Sequence, residues 1–157
     1  MGKVEHHVRI GQIIVAGHGE ILKTVLGSCV GIALIWKKQK KCALAHCLLP
    51  CPVSGEKDFA ARYVSETIPK MLEQLGASLG DISELEAVVA GGGQMMDVDK
   101  AFIKFVVGDE NIKTAKKFLE KYRIKIVAIE PGGDQGTKMR VDCGSGEFQI
   151  ERLPKAA

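Results

Sequence analysis

Cys29 and His46 are the side chains whose type and setting best suit covalent chemistry. Cys29 closes the stretch Thr24-Val25-Leu26-Gly27-Ser28-Cys29, and His46 lies in the apolar run from Cys42 to Leu49. The thiolate is the nucleophile, and an unassisted cysteine is only a few per cent ionised at neutral pH. A histidine within hydrogen-bond reach raises that fraction and later protonates the leaving group. Gly27-Ser28 reads as a turn that sets the sulfur at a strand edge and leaves backbone N–H groups to face a developing oxyanion.

A hairpin makes the pairing geometric. With Lys38 and Gln39 at the centre of its turn, Gly31 falls opposite His46 and Cys29 opposite Leu48, so Cys29 and His46 share a face as diagonal neighbours. Gly31 is expected to leave that face open above them. A register slip of one residue would send His46 to the other side. The same spacing also fits a satisfied core histidine and a cysteine packed as a small hydrophobe. A zinc site from Cys42, His46, Cys47 and Cys51 fits less well. It lacks a C-x-x-C pair, and strand alternation turns Cys47 away from Cys42 and His46.

The elements that must hold these residues are mostly strands. Val8 to Ala16, Ile21 to Leu26, Cys29 to Trp36 and Cys42 to Leu49 read as strands, the last two apolar enough to be covered on both faces. A helix is expected from Phe59 to Leu75, started by Ser54 or Asp58, stopped by Gly76, and kinked or ended early by Pro69. Leu85 to Ala90 reads as a strand running into Gly91-Gly92-Gly93, which lacks the residues of a P-loop and reads as a tight loop near the site or a plain turn. A further strand is expected at Phe102 to Val107, then a helix opened by Asp109 and Asn111 and closing near Arg123. Lys125 to Glu130 is a strand, and Met139 to Ile150 a terminal hairpin around Gly144-Ser145-Gly146. The fold class is mixed α/β (α+β) in layers, not a doubly wound nucleotide fold, with residues 1–157 as a single domain.

Composition narrows the classes. The chain has 157 residues, 46% hydrophobic and 26% charged, as in ordinary globular proteins. The net charge of +3 is too mild, and the five Phe, two Tyr and one Trp too dispersed, for a nucleic-acid surface. No secretory, myristoyl or prenyl signal is legible, and the apolar runs fall short of the ~20 residues that cross a bilayer, so membrane insertion is not expected. A cytoplasmic setting is the expectation, with the five cysteines as thiols. The lysines at 37, 38, 40 and 41 and those at 113, 116, 117, 121 and 125 read as solvated surface, or as a charge that steers an acidic partner.

Taken in order, Leu26-Gly27-Ser28-Cys29-Val30 and His46-Cys47-Leu48-Leu49-Pro50 resemble the paired signature of the CheD family, the chemoreceptor glutamine deamidases of chemotaxis. The resemblance continues through Gly91-Gly92-Gly93-Gln94-Met95 and Gly108-Asp109-Glu110-Asn111 to Gly132-Gly133 and Lys138. It departs at Thr137, where the family usually carries arginine. The resemblance implies Cys29 as nucleophile, His46 as general base and acid, and Thr24 as the group that orients the imidazole. Backbone amides at Cys29 and the Gly27-Ser28 turn are then the oxyanion candidates. It also implies layered, sandwich-like sheets flanked by helices, similar to the catalytic domain of the cytotoxic necrotizing factor toxins. The expected substrate is glutamine on the cytoplasmic helices of methyl-accepting chemoreceptors, and a CheC-type phosphatase is the expected regulator. No cofactor or metal is required, since Cys/His chemistry needs only water. Two other readings keep the fold: a non-catalytic module that regulates the phosphatase, and a glutamyl methylesterase using the same nucleophile.

Overall fold

Seven-residue runs with hardly a polar side chain form strands here because both faces of their sheet are covered. In the computed structural model, which describes residues 2–48, 63–93 and 98–154, these are β4 (Val30–Trp36), wholly buried, and β5 (Lys41–Cys47), buried beyond Lys41. They form the middle of a five-stranded sheet with β2 (Ile13–Gly17), β6 (Glu86–Gly91) and β7 (Lys125–Pro131), in the order β2-β5-β4-β6-β7. A second sheet has the order β1-β3-β8-β9, from β1 (Val4–His7), β3 (Glu20–Leu26), β8 (Thr137–Asp142) and β9 (Phe148–Arg152).

Strand alternation divides the core in two. One face of the five-stranded sheet (Val30, Ile32, Leu34) packs on α1 (Val64–Leu75) and α2 (Val98–Lys121) through Ile68, Met71 and Leu119. The other face (Ala33, Ile35, Leu44) meets Leu22, Met139 and Val141 of the second sheet. The result is two stacked sheets with helices on one outer face, the layered mixed α+β class the sequence led us to expect.

The β4–β5 hairpin has the expected register, with Gly31 opposite His46. Its turn is a short 3-10 segment, Lys37–Gln39, closed by Lys40 in the left-handed region at φ 52°. The terminal β8–β9 hairpin is likewise antiparallel, pairing Met139 with Ile150. Helix α1 ends at Gly76, whose φ of 74° suits glycine. Ser54 and Asp58, its expected start signals, lie outside the described residues.

Five expectations need correction. The run from Val8 to Ala16 is not one strand: a turn with Gly11 at φ 83° and a Gln12 N–H to Arg9 C=O bond lets the chain pass from one sheet to the other. Phe102 to Val107 is not a strand but part of α2, which starts well before Asp109. A short apolar run carries no decisive period, so the surrounding helix settles it. Pro69 does not end α1, which runs on to Leu75; it is exposed, while Ile68, Met71, Leu72 and Leu75 anchor the helix to the sheet. Gly31 does not open a space, because a Cβ there would come within 2.9 Å of both Leu26 Cδ1 and Met139 Sδ. Finally, Cys42 and Cys143 are joined as a disulfide. They stand 101 residues apart in sequence, yet β5 and the end of β8 bring their Cα atoms to 5.2 Å across the layer between the sheets, within bridging range.

Candidate active site

Thr24 is the site's fixed point. It lies in β3, fully buried, and its Oγ1 is 2.7 Å from the Val8 carbonyl and 2.8 Å from His46 Nδ1. A carbonyl only accepts, so the one hydroxyl proton goes to Val8 and the oxygen accepts from Nδ1–H. In the neutral imidazole the lone pair is therefore on Nε2. That atom is buried and makes no hydrogen bond, so none joins it to Cys29 in this structure.

The backbone of His46 is equally constrained. It pairs with Gly31 in β4, its N–H donates to the Gln12 carbonyl at 3.1 Å, and its carbonyl accepts from Gly11 N–H at 2.8 Å. Burial pushes its pKa below the ordinary 6.5; the nearby Val8 carbonyl opposes the shift, and His7 adds to it. At neutral pH the ring is uncharged, the state a base requires.

Cys29 is 7% exposed and belongs to the same inter-sheet layer, clustered with Leu26, Ala90 and Met139. Its loop is held by its carbonyls. Gly93 N–H donates to Gly27 C=O at 2.9 Å, Asn111 Nδ2 to Ser28 C=O at 3.0 Å, and Gly92 N–H to Cys29 C=O at 2.9 Å. Among the described residues no acceptor receives the N–H of Gly27 or Ser28. The Gly91-Gly92-Gly93 segment is thus a loop laid directly on the cysteine turn. A Cβ on Gly91 (φ 103°) would stand 2.4 Å from the Cys29 carbonyl oxygen, and one on Gly93 would stand 2.9 Å from that of Gln135.

The second free thiol differs in character. Cys47 points to the helical side, against Thr67 Oγ1 at 3.4 Å, and burial pushes its pKa up to about 12. It is an inert core thiol, turned away from Cys42 and His46 as strand alternation requires; Cys51 lies outside the described residues. His6, near the end of β1, bonds Glu20 Oε1 through Nε2 at 2.8 Å.

Of two further groups at the site, one went unread in the sequence and the other was read only as a helix start and as part of the family resemblance. Val8 contributes only a carbonyl, for which no side-chain type can be a signal. Asn111 is buried in α2 and reaches both Ser28 C=O and Leu48 C=O. A polar residue on the apolar face of a helix was the available hint, but that position reads equally well as a helix start.

Comparison with known proteins gives a consistent picture. The family model described as CheD chemotactic sensory transduction matches residues 48–152. A probable chemoreceptor glutamine deamidase CheD of Bdellovibrio bacteriovorus is 69% identical, over 98% of each chain. Its counterpart in Archaeoglobus fulgidus is 38% identical over 92% of this chain and 90% of its own. Among solved structures, a Neisseria meningitidis protein aligns with 84% of this chain and 64% of its own at 8% identity and TM-score 0.47, too distant to bear on the site. The family match begins beyond Thr24, Cys29 and His46, whereas the Bdellovibrio match spans nearly the whole chain. On the length of the family match and the identity of these relatives, the chain belongs to the CheD family.

Proposed function

We propose that residues 1–157 act as one deamidase unit in the cytoplasm, converting glutamines on the helices of methyl-accepting chemoreceptors to glutamate. The observation that carries this reading is the Val8–Thr24–His46 arrangement, which leaves the lone pair of a neutral imidazole on a buried, unbonded Nε2. The chemoreceptor substrate is taken from the names of the relatives.

In this mechanism His46 Nε2 takes the thiol proton of Cys29, and the sulfur attacks the side-chain amide carbon. The oxyanion is met by amides of the Gly27-Ser28-Cys29 turn; the absence of a described acceptor for Gly27 and Ser28 N–H supports those two. Protonated His46 gives its proton to the amide nitrogen, and ammonia departs as the C–N bond breaks. Water, deprotonated by His46, then attacks the thioester. The carbonyl carbon keeps the water oxygen, and the sulfur leaves as thiolate and is reprotonated. Glutamine plus water becomes glutamate plus ammonia, with no cofactor. A CheC-type phosphatase is the proposed regulator.

The test is mass spectrometry of a chemoreceptor cytoplasmic fragment incubated with the wild-type protein or with Cys29→Ala. A gain of about 1 Da at particular glutamines, with ammonia released and lost in Cys29→Ala, is expected for a cysteine-dependent deamidase. No gain on any of several receptors, from a folded protein, would turn the reading to a binding module. Loss of methyl groups without change at glutamine would turn it to an esterase.

A further inference from the structure

The β4–β5 ladder ends at the pair Val30–Cys47. Beyond that pair come Cys29 on one side and Leu48 on the other, with no ladder between them. Asn111 stands at this point. Its Nδ2 donates to Ser28 C=O at 3.0 Å and to Leu48 C=O at 3.1 Å. Ser28 directly precedes Cys29, and Leu48 lies two residues beyond His46. One side-chain amide from α2 therefore spans the two segments that carry Cys29 and His46.

The orientation of that amide is fixed, since only its NH2 group donates to two carbonyls. The cost appears at its other end, where Asn111 Oδ1 is buried without a partner. An unpaired buried acceptor is unfavourable, and helix packing alone would be served as well by an apolar side chain. The backbone bonds from Gly92 and Gly93 to the cysteine turn tie it to the end of β6, not to the His46 strand.

We propose that Asn111 is a positioning residue that sets the separation of Cys29 and His46 by extending the hairpin one side-chain-mediated step past its last ladder pair. The inference rests on the reading of Cys29 and His46 as nucleophile and base. Without the bridge the two segments part, while substrate contacts elsewhere are untouched. A displacement of about 1 Å in such a site typically lowers turnover about 100-fold.

The test uses the full chain carrying Asn111→Leu or Asn111→Asp. The first keeps the branched skeleton, though with bulkier methyl ends, and loses both donors; the second keeps shape and turns an acceptor toward the two carbonyls. Folding is followed by circular dichroism, turnover on a receptor fragment, and Cys29 reactivity by iodoacetamide labelling located by mass spectrometry. At least one folded variant is expected to lose about 100-fold in kcat with KM little changed. Its Cys29 labelling at neutral pH should slow to the rate of His46→Ala, and adding Asn111→Leu to His46→Ala should cause no further loss, as for groups acting as a unit. Labelling and kcat like wild type in a folded variant would overturn the proposal. So would additive losses, or failure of both variants to fold, which would make Asn111 a packing residue only. If the wild-type protein modifies no glutamine while its labelling still depends on both His46 and Asn111, the positioning role stands and the deamidase reading fails.

Discussion

The Thr24 hydroxyl has a single proton, which it donates to the Val8 carbonyl across an O···O distance of 2.7 Å, so toward the imidazole it can only accept. A neutral oxygen orients the ring without adding a charge that would raise its pKa, and burial is left to lower it. Thr24→Val should therefore retain the fold, destabilise by ~1–3 kcal/mol through the two groups it leaves unpaired, and depress kcat. Thr24→Ser should restore most of the rate; equal rates for the Val and Ser variants, read by ammonia release, would remove Thr24 from the mechanism. The pH dependence follows from the same burial. His46 held below 6.5 takes up its proton less readily folded than unfolded, so stability is complete above that value and falls as pH drops through the lowered one. If His46 is the base proposed above, the acid limb of kcat/KM should likewise lie below pH 6.5, because only the neutral ring can take the thiol proton. Thermal melts of wild type and His46→Gln across this range check the first point: the wild-type curve should fall more steeply with acid. The shared face of Cys29 and His46 was legible from the hairpin register, but spacing alone fitted a packing role equally well, and the Thr24–His46 hydrogen bond is what the tertiary structure adds.

At the level of elements, the cysteine turn depends on a backbone laid against it. Gly91 has φ 103° and no room for a Cβ beside the rigid Cys29 carbonyl, whereas a Cβ on Gly31 would meet only the ends of the Leu26 and Met139 side chains. Gly91→Ala should therefore cost about 3 kcal/mol and displace Cys29, with Gly31→Ala costing less because those ends can repack. Urea unfolding ranks the two; a larger loss for Gly31→Ala would mean that the inter-sheet layer is the less tolerant of the two places. The hairpin register was legible because a short polar link between two apolar runs leaves few alternatives. Phe102 to Val107 was not, since six residues of mixed size fit a strand or one and a half turns of helix, and only the length of α2 decides.

Across the whole molecule, the Cys42–Cys143 bridge joins the two sheets four residues along β5 from His46, about 13 Å of strand away. Closing a loop of that length removes about 4–5 kcal/mol of unfolded-chain entropy in the simplest model. Reductant or Cys143→Ser should lower the melting temperature yet leave deamidation intact, because the Thr24–His46 pair does not depend on the bridge. An unchanged melting temperature on reduction would mean that the two residues act in solution as packed thiols. Their pairing was invisible in the sequence, where the partners stand 101 residues apart with no local signal. The same holds for Asn111 and for the Val8 carbonyl, whose parts come from a helix and a strand end far from the residues they serve. What the sequence determined by itself was local: the apolar periods of the central strands, the turn before Cys29, the β4–β5 register and the chemistry of its side chains. Tertiary structure alone decided which backbone groups meet them, because hydrogen-bond geometry between distant segments depends on how sheets stack and where a helix crosses, and no short-range pattern encodes either.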